Sequence, residues 1–151
     1  MDIQAQVTRE IEEIHVAFTE WFSARTPADD ATFERLVASR FEPGFTIVPP
    51  DGRAVAEEEL LDGLRGAHGA DAGLSIQIRE VRVRHDLGDL VIATYEEWQS
   101  SDRPGRPPLT GRTSTAVLRR RVEGWGWVHV HETWLPTTEL SGRPFEQGSV
   151  G

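Results

Sequence analysis

The sequence contains no cysteine and no lysine. Without cysteine the chain can form no disulfide, no thiolate metal site and no cysteine nucleophile. All 16 basic residues are arginines. Chemistry that needs a lysine amine is therefore excluded as well, namely Schiff bases, pyridoxal phosphate anchoring, serine–lysine dyads and the lysine of a phosphate-binding loop.

Long apolar runs are also missing. No stretch of 18 apolar residues occurs, and the polar residues 1–10 are not followed by an apolar run, so we predict neither a membrane span nor a signal peptide. We expect a cytoplasmic protein. The 25 acidic and 16 basic residues give a net charge of −9. Such a surface repels phosphate backbones and anionic bilayers, so nucleic acid and membrane are not expected as partners.

The N-terminal half alternates between helical and short extended patterns. Apolar residues at steps of three and four predict helices, while Pro and Gly pairs mark the breaks between elements. The predicted order is a long helix of about 20 residues that ends near Pro27, a second helix with Phe33, Leu36, Val37 and Phe41 inward, a short strand 45–48, and a third helix 56–67.

From Leu74 onward the apolar residues recur at every second position, which indicates strands. Long strands are predicted over 74–83, 90–99, 109–121 and 125–135, with a bulge between Ile78 and Val81. Strands segregated after helices predict an α+β protein, with one curved antiparallel sheet packed on three N-terminal helices. We expect a single domain over residues 1–136, since 151 residues suit one core, and a loose tail over 137–151.

Three segments carry a resemblance to a known superfamily. The stretch 124–133 reads GWGWVHVHET, 88–93 reads GDLVIA, and Phe45 to Gly52 forms a short strand with a Pro-Asp-Gly turn. Together with the element order, they resemble the nuclear transport factor 2-like superfamily. Within it, the match is to the SnoaL-like proteins and the association domain of calcium/calmodulin-dependent protein kinase II.

The resemblance implies a cone-shaped, cystatin-like fold with a pocket between the concave sheet face and the helices. It also implies a homodimer formed through the outer sheet face. It does not imply a reaction, because members catalyse isomerisation, dehydration, cyclisation and epoxide opening, and others only bind or assemble. The kinase domain has pocket arginines where this chain has Glu96 and Glu132.

Two carboxylates are the candidate catalytic groups. Glu132 alternates with Val130 and Trp134, and Glu96 alternates with Thr94 and Trp98, so we expect both on the concave face. A carboxyl group buried among apolar side chains has a raised pKa and can act as an acid or a base. The alternative is a salt bridge to an arginine such as Arg112 or Arg65, or exposure at the rim. The expected pocket residues are His15, Phe18, Phe22, Trp98, Val130 and Trp134.

The opposite strand phase is also apolar, which favours a dimer. Helices cover only one sheet face, and a large exposed apolar face is unusual for a monomer. The expected interface residues are Tyr95, Val117, Trp125, Trp127 and His129. His129 and His131 share a face but lack a third ligand at fixed spacing, so we interpret them as packing residues, expect no metal site, and expect no cofactor.

Two functions remain open at this point. The first is binding of an apolar, polyketide-like small molecule, with Glu132 and Glu96 transferring protons as in an isomerase, cyclase or dehydratase. The second is a non-catalytic dimeric module for assembly or ligand sensing. A cavity larger than about 300 Å³ with a buried unpaired carboxylate would favour the first function, and a pocket filled by aromatic side chains the second.

Overall fold

The computed structural model describes residues 2–136 and residue 145. It has three α-helices, one 3₁₀ turn and six strands in the order α1 (Ile3–Phe22), α2 (Asp30–Leu36), the turn Ala38–Arg40, β1 (Phe41–Val48), β2 (Val55–Ala56), α3 (Glu57–Gly66), β3 (Ser75–Asp86), β4 (Leu90–Ser100), β5 (Leu109–Arg120) and β6 (Trp125–Leu135). The predicted α+β class is confirmed. The expected tail 137–151 lies outside the described residues, apart from residue 145.

Capping explains where the first two helices begin. Asp2 precedes α1 and its carboxylate accepts a hydrogen bond from the Ala5 amide, while Asp29 caps α2 in the same way through Thr32. α1 ends at Phe22, a few residues before the end near Pro27 that the sequence predicts. α2 is shorter than expected, because Phe41 begins β1 instead of continuing the helical stripe.

One six-stranded sheet carries the fold, with the strand order β2-β1-β6-β5-β4-β3. All neighbours are antiparallel except β1 and β6, which run parallel, so the sheet is mixed where the sequence predicted an antiparallel one. The predicted bulge in β3 is confirmed by a register shift between Arg79 and Arg82, next to Glu80 at φ 56°. Among the described helices, none is long and apolar enough to cross a membrane.

A second bulge, in β6, decides which side chains face inward. Val117 of β5 pairs with His129 and Leu118 pairs with Trp127, so Val128 is an extra residue. Because a bulge shifts the alternation of side chains, both Trp127 and Val130 point into the core.

In β4 the inward residues are odd-numbered: Val91, Ala93, Tyr95 and Glu97. We call the opposite side of the sheet the outer face. It carries Ile92, Thr94, Glu96 and Trp98 of β4, Val117 of β5 and His129 of β6.

The hydrophobic core fills the space between the inward sheet face and the helices. Val7, Ile11, Ile14 and Trp21 of α1 are fully buried against it, and Phe33 of α2 packs on Trp21 with ring centroids 5.0 Å apart. The loop after α3 is fixed to the end of α1, because the amides of Gly69 and Asp71 donate to the carbonyls of Trp21 and Phe22. A partly enclosed cavity lies beside this core.

Candidate active site

The cavity lies between the inward sheet face, α1 and α3, and its volume is about 170 Å³. We call it the cone cavity. It is lined by Ile14, His15, Phe18 and Phe22 of α1, Phe41, Phe45 and Ile47 of β1, Leu60 and Leu64 of α3, Tyr95, Glu97 and Gln99 of β4, Arg112 of β5, and Trp127, Val130 and Glu132 of β6. The helices and β1 supply apolar walls, whereas β4, β5 and β6 supply most of the polar groups.

His15 and Glu97 form a buried pair at one side of the cavity. Nδ1 of His15 lies 2.7 Å from the Ile11 carbonyl, and Nε2 lies 3.0 Å from Oε1 of Glu97. A carbonyl only accepts, so Nδ1 carries a proton. One further proton lies between Nε2 and the carboxylate, which makes the pair either an imidazolium with a carboxylate or a neutral imidazole with a carboxylic acid.

The ionic form of this pair is favoured. Burial is the largest single influence on the pKa of both groups, and it disfavours the charged form of each. The attraction between the two opposite charges and the hydrogen bonds around them together outweigh burial. The pKa of His15 is raised above its usual value, chiefly by the Glu97 charge. The pKa of Glu97 is lowered to about 2 by His15, Arg112 and Gln99. Glu97 is therefore a fixed negative charge inside the cavity.

Glu132 is held differently from Glu97. Its side chain is 7% exposed, and its contacts are long: Arg112 NH1 at 3.3 Å and the Ser114 hydroxyl at 3.4 Å. Burial raises the pKa of Glu132, and the nearby Glu97 charge raises it further, while Arg112 acts in the opposite direction. Glu132 is thus the carboxyl group of the cavity that can both hold and release a proton.

Two aromatic side chains complete the polar side. Tyr95 is 2% exposed, and burial together with the charges of Glu97 and Glu132 raises its pKa well above the usual value. It stays protonated and remains a hydrogen-bond donor. The Trp127 ring is edge-on to Tyr95 at 6.4 Å, and its Nε1 donates to the buried Glu10 at 2.9 Å. Glu10 also accepts from Arg40, which fixes the orientation of the Trp127 wall.

Gln99 connects the cavity to two loops at its rim. Its amide donates to Glu97, and its oxygen accepts from Arg106 in the loop before β5. Arg106 also donates to Asp71 at 2.9 Å, and Asp71 accepts from Ser101. Asp71 is 4% exposed. This chain of contacts ties both loops to the pair of His15 and Glu97.

The structure brings together five of the eight residues that the sequence placed in the site, namely His15, Phe18, Phe22, Val130 and Glu132. It does not bring in the other three. Glu96 and Trp98 lie on the outer face, where the Trp98 indole donates to Glu96 at 2.9 Å. Trp134 shares the strand phase of Glu132 but is 50% exposed, with the Arg112 guanidinium 4.8 Å from its ring centroid.

Three of the expected interface residues are also placed differently. Tyr95 and Trp127 line the cavity, and Trp125 packs in the core, so the face assigned to them was wrong. The cause is the phase of β4 and the bulge in β6. Val117 and His129 do lie on the outer face, and His129 Nδ1 is 2.7 Å from the Thr46 hydroxyl.

Sequence reasoning missed Glu97 and Gln99 as members of the site, and it named Arg112 only as a possible salt-bridge partner of Glu132. The adjacent glutamates at 96 and 97 were the available signal, since neighbouring strand residues point to opposite faces. Within the described part of the chain, no cluster of three or more His, Asp or Glu side chains could hold a metal ion. The chemistry that these side chains can perform is acid–base chemistry by Glu132 next to a fixed ion pair.

The cone cavity meets neither of the two criteria that the sequence analysis set for choosing between the functions. Its volume of about 170 Å³ is below the threshold of about 300 Å³, and Arg112 accompanies the Glu132 carboxylate at a long distance. On the other hand, aromatic side chains do not fill it. The site is therefore a small cavity with a weakly partnered acid.

Several solved structures resemble this chain over most of its length. An NTF2-like protein of unknown function from Pseudomonas aeruginosa is 29% identical, with a TM-score of 0.77 over 87% of this chain and 99% of that one. The CaMKII hub homology domain of Chlamydomonas reinhardtii is 17% identical, with a TM-score of 0.68 over 89% of this chain and 100% of that one.

A third structure is a proposed dehydratase of the NTF2-like family from Streptomyces avermitilis. It is 19% identical, with a TM-score of 0.61 over 85% of this chain and 95% of that one. The similarities to the CaMKII hub homology domain and to the proposed dehydratase show the fold alone. No curated protein matches the sequence significantly. The SnoaL-like domain family matches residues 14–136, which is most of the chain. The chain therefore belongs to the SnoaL-like domain family, within the NTF2-like superfamily.

Proposed function

We propose that the chain binds a small, mostly apolar molecule in the cone cavity and that Glu132 transfers a proton to or from it. The observation that carries this proposal is the state of Glu132, a buried carboxyl group that faces a cavity and is held only by contacts of 3.3 and 3.4 Å. A carboxylate with a raised pKa is a stronger base than an exposed one and retains its proton to higher pH.

The neighbouring groups have separate parts in this proposal. Glu97 keeps its negative charge through His15, and that charge helps to raise the pKa of Glu132. Tyr95 stays protonated and can donate to an oxygen atom of the bound molecule. Arg112 accompanies the carboxylate that Glu132 becomes when it has released its proton.

Family membership supports a role of this kind. A relative of similar fold from Streptomyces avermitilis is a proposed dehydratase, and dehydration requires proton transfer. That relative shares 19% identity with this chain, so the particular reaction is not transferred with the fold.

Nitroethane is a suitable probe because its C–H bond next to the nitro group is acidic and it is smaller than a six-membered ring. In D₂O, Glu132 would remove the proton, exchange it with solvent and return a deuteron to the same carbon. We expect the protein to accelerate this exchange, followed by proton NMR. Glu132→Gln should lower the catalysed rate by about 10²–10⁴-fold while leaving the circular dichroism spectrum unchanged.

Glu96→Gln is the matched control for this experiment. It makes the same chemical change on the outer face, away from the cavity, and keeps an acceptor for the Trp98 indole. We expect it to retain the exchange rate of the unmodified protein. Equal rates for both variants, or no acceleration over buffer by the unmodified protein, would refute the proton-transfer role of Glu132.

A second candidate function is assembly through the outer face. Two observations favour it: Ile92 and Val117 are half-buried apolar side chains on a sheet face opposite the helices, and hub-type domains share the fold. In this alternative the protein is a homodimer, and its cavity serves binding or sensing without turnover.

Light scattering at micromolar concentration tests the assembly. A dimer should give about twice the 16.9 kDa of one chain. Val117→Glu should reduce the observed mass to that of one chain, because the glutamate would bury a charge in the interface without a partner. Val122→Glu, at a fully exposed turn position, should have no effect. A mass of one chain for the unmodified protein would contradict the dimer.

A further inference from the structure

We propose that the ligand of the cone cavity is a neutral molecule with a single ring and one polar group at its edge. This inference rests on the proposed function, since it concerns the molecule that Glu132 would act on. It narrows the ligand class in three respects, which are size, shape and charge, and each follows from a different feature of the cavity.

Size is limited by the volume and by the stiffness of the inner wall. A cavity of about 150 Å³ lined by apolar side chains holds benzene, and the cone cavity has about 170 Å³. Phe45, Tyr95 and Trp127 at the inner wall are at most 2% exposed and pack on one another or on Phe41. Close-packed walls of this kind do not yield to a second fused ring without strain.

The distribution of lining residues sets the shape. Phe18 and Phe22 stack with centroids 6.2 Å apart, and with Leu60 and Leu64 they form an apolar wall on the helical side. Tyr95, Glu132 and Arg112 form the polar side on the sheet. A flat ring against the phenyl groups, with one oxygen toward the sheet, satisfies both sides at once.

The charge follows from the pairing of the ionic groups. Glu97 has His15 as its counter-charge, and Glu132 has Arg112. An anionic ligand could reach Arg112 only beside the carboxylate of Glu132, which NH1 of Arg112 contacts, and it would also approach the negative Glu97. A cationic ligand would lie close to Arg112 and to the protonated His15. In both cases a charge enters a mostly apolar cavity next to a group of the same charge, which is costly.

A series built on the cyclohexane ring tests all three respects by isothermal titration. We expect cyclohexanone to bind. We expect 1-decalone, with two fused rings, to bind at least about tenfold more weakly, since a second ring overpacks the rigid inner wall. Cyclohexanecarboxylate and cyclohexylammonium should also bind at least about tenfold more weakly than cyclohexanone.

Leu64→Ala should enlarge the cavity and bring the affinity for 1-decalone close to that for cyclohexanone. The Leu64 carbonyl, which accepts from the Trp21 indole at 2.7 Å, is kept in this variant. Leu61→Ala is the matched control. Leu61 packs on the core from the same helix but does not line the cavity, so the preference for one ring should persist.

Several results would overturn the inference. These are absence of cyclohexanone binding, 1-decalone binding as tightly as cyclohexanone, a charged ring binding equally well, or equal effects of the two leucine variants. The proton-transfer proposal is judged separately by nitroethane, whose small size makes it independent of ring selection. If the ring compounds bind in the expected order but nitroethane is not exchanged, the ligand class stands and the proton-transfer proposal is refuted. If nitroethane is exchanged but the ring compounds do not bind in the expected order, only the ligand class is refuted.

Discussion

Replacing His15 with alanine is expected to lower the free energy of unfolding by about 3–5 kcal/mol. The variant leaves Glu97 buried, with its side chain 7% exposed, without the imidazolium that lies 3.0 Å from it. It also opens a gap beside Phe18 and Tyr95, whose rings are edge-on to His15 at 5.5 and 5.7 Å. Urea unfolding followed by circular dichroism measures the loss.

The double variant His15→Leu with Glu97→Leu separates charge from packing. Apolar residues of similar volume often replace a buried ion pair at no cost, or stabilise the protein. We therefore expect the double variant to be close to the unmodified protein and far more stable than His15→Ala. A loss of under about 1 kcal/mol in His15→Ala would show that the pair does not stabilise the fold.

The same pair predicts how stability changes with pH. The lowered pKa of Glu97 contributes stability above the unfolded value of about 4.3, and this is lost as the pH falls toward about 2. The raised pKa of His15 contributes stability below the unfolded value of about 6.5, and this is lost as the pH rises through the folded value. The pair is thus most stabilising between about pH 4.3 and 6.5.

The pH dependence has its own measurement. The unfolding free energy of the unmodified protein minus that of the double leucine variant should reach its highest value inside that window. This difference should fall on both sides. A difference that does not change between pH 3 and 8 would contradict the ionic state assigned to the pair.

The helices and strands could be predicted because each has a strong local pattern. Apolar steps of three and four define α1, and alternation defines β3 to β6, within a few residues of the observed ends. The resemblance in residues 124–133 supplied the arrangement of these elements, which local patterns do not contain. Neither the local patterns nor the resemblance predicted the parallel pairing of β1 with β6, which joins strands about 80 residues apart.

The faces of β4 could not be predicted, because both of its phases are apolar. Val91, Ala93 and Tyr95 alternate with Ile92, Thr94 and Trp98, so burial alone does not choose between them. The bulge in β6 adds to the difficulty, since alternation read across Val128 reverses the positions of Trp125 and Trp127. Glu96 was therefore chosen in place of Glu97.

The contacts within the site could not be predicted from the sequence for a second reason, which is the distance between the partners along the chain. His15 and Glu97 are 82 residues apart, and their pairing depends on how α1 crosses the sheet. Arg112 was named as a possible partner of Glu132, and the structure places the two at 3.3 Å. The pairing of Arg112 with Glu132 could be anticipated, because the two residues have opposite charges and lie on adjacent strands. No such feature of the sequence indicates the partner of His15.

The corrected position of Trp98 leads to a further expected result, on the outer face. Trp98 is 1% exposed and lies over Gly111 of β5, where a Cβ would be 2.3 Å from Cζ3 of the indole. Trp98→Ala should cost about 3–5 kcal/mol of unfolding free energy, as for other buried Trp side chains. Gly111→Ala should cost about 1–3 kcal/mol, because the ring must move.

A double-mutant cycle shows whether these two costs share one cause. When Trp98 is already alanine, Gly111→Ala should cost close to nothing, which gives a coupling energy of about 1–3 kcal/mol. Gly63→Ala is the control, since a Cβ at this helical position meets nothing within 4 Å and should stabilise α3 slightly. Trp98→Ala should also keep nitroethane exchange and cyclohexanone binding, because the ring lies across the sheet from the cone cavity. Loss of both together with an intact fold would mean that Trp98 faces the cavity, as the sequence alone had predicted.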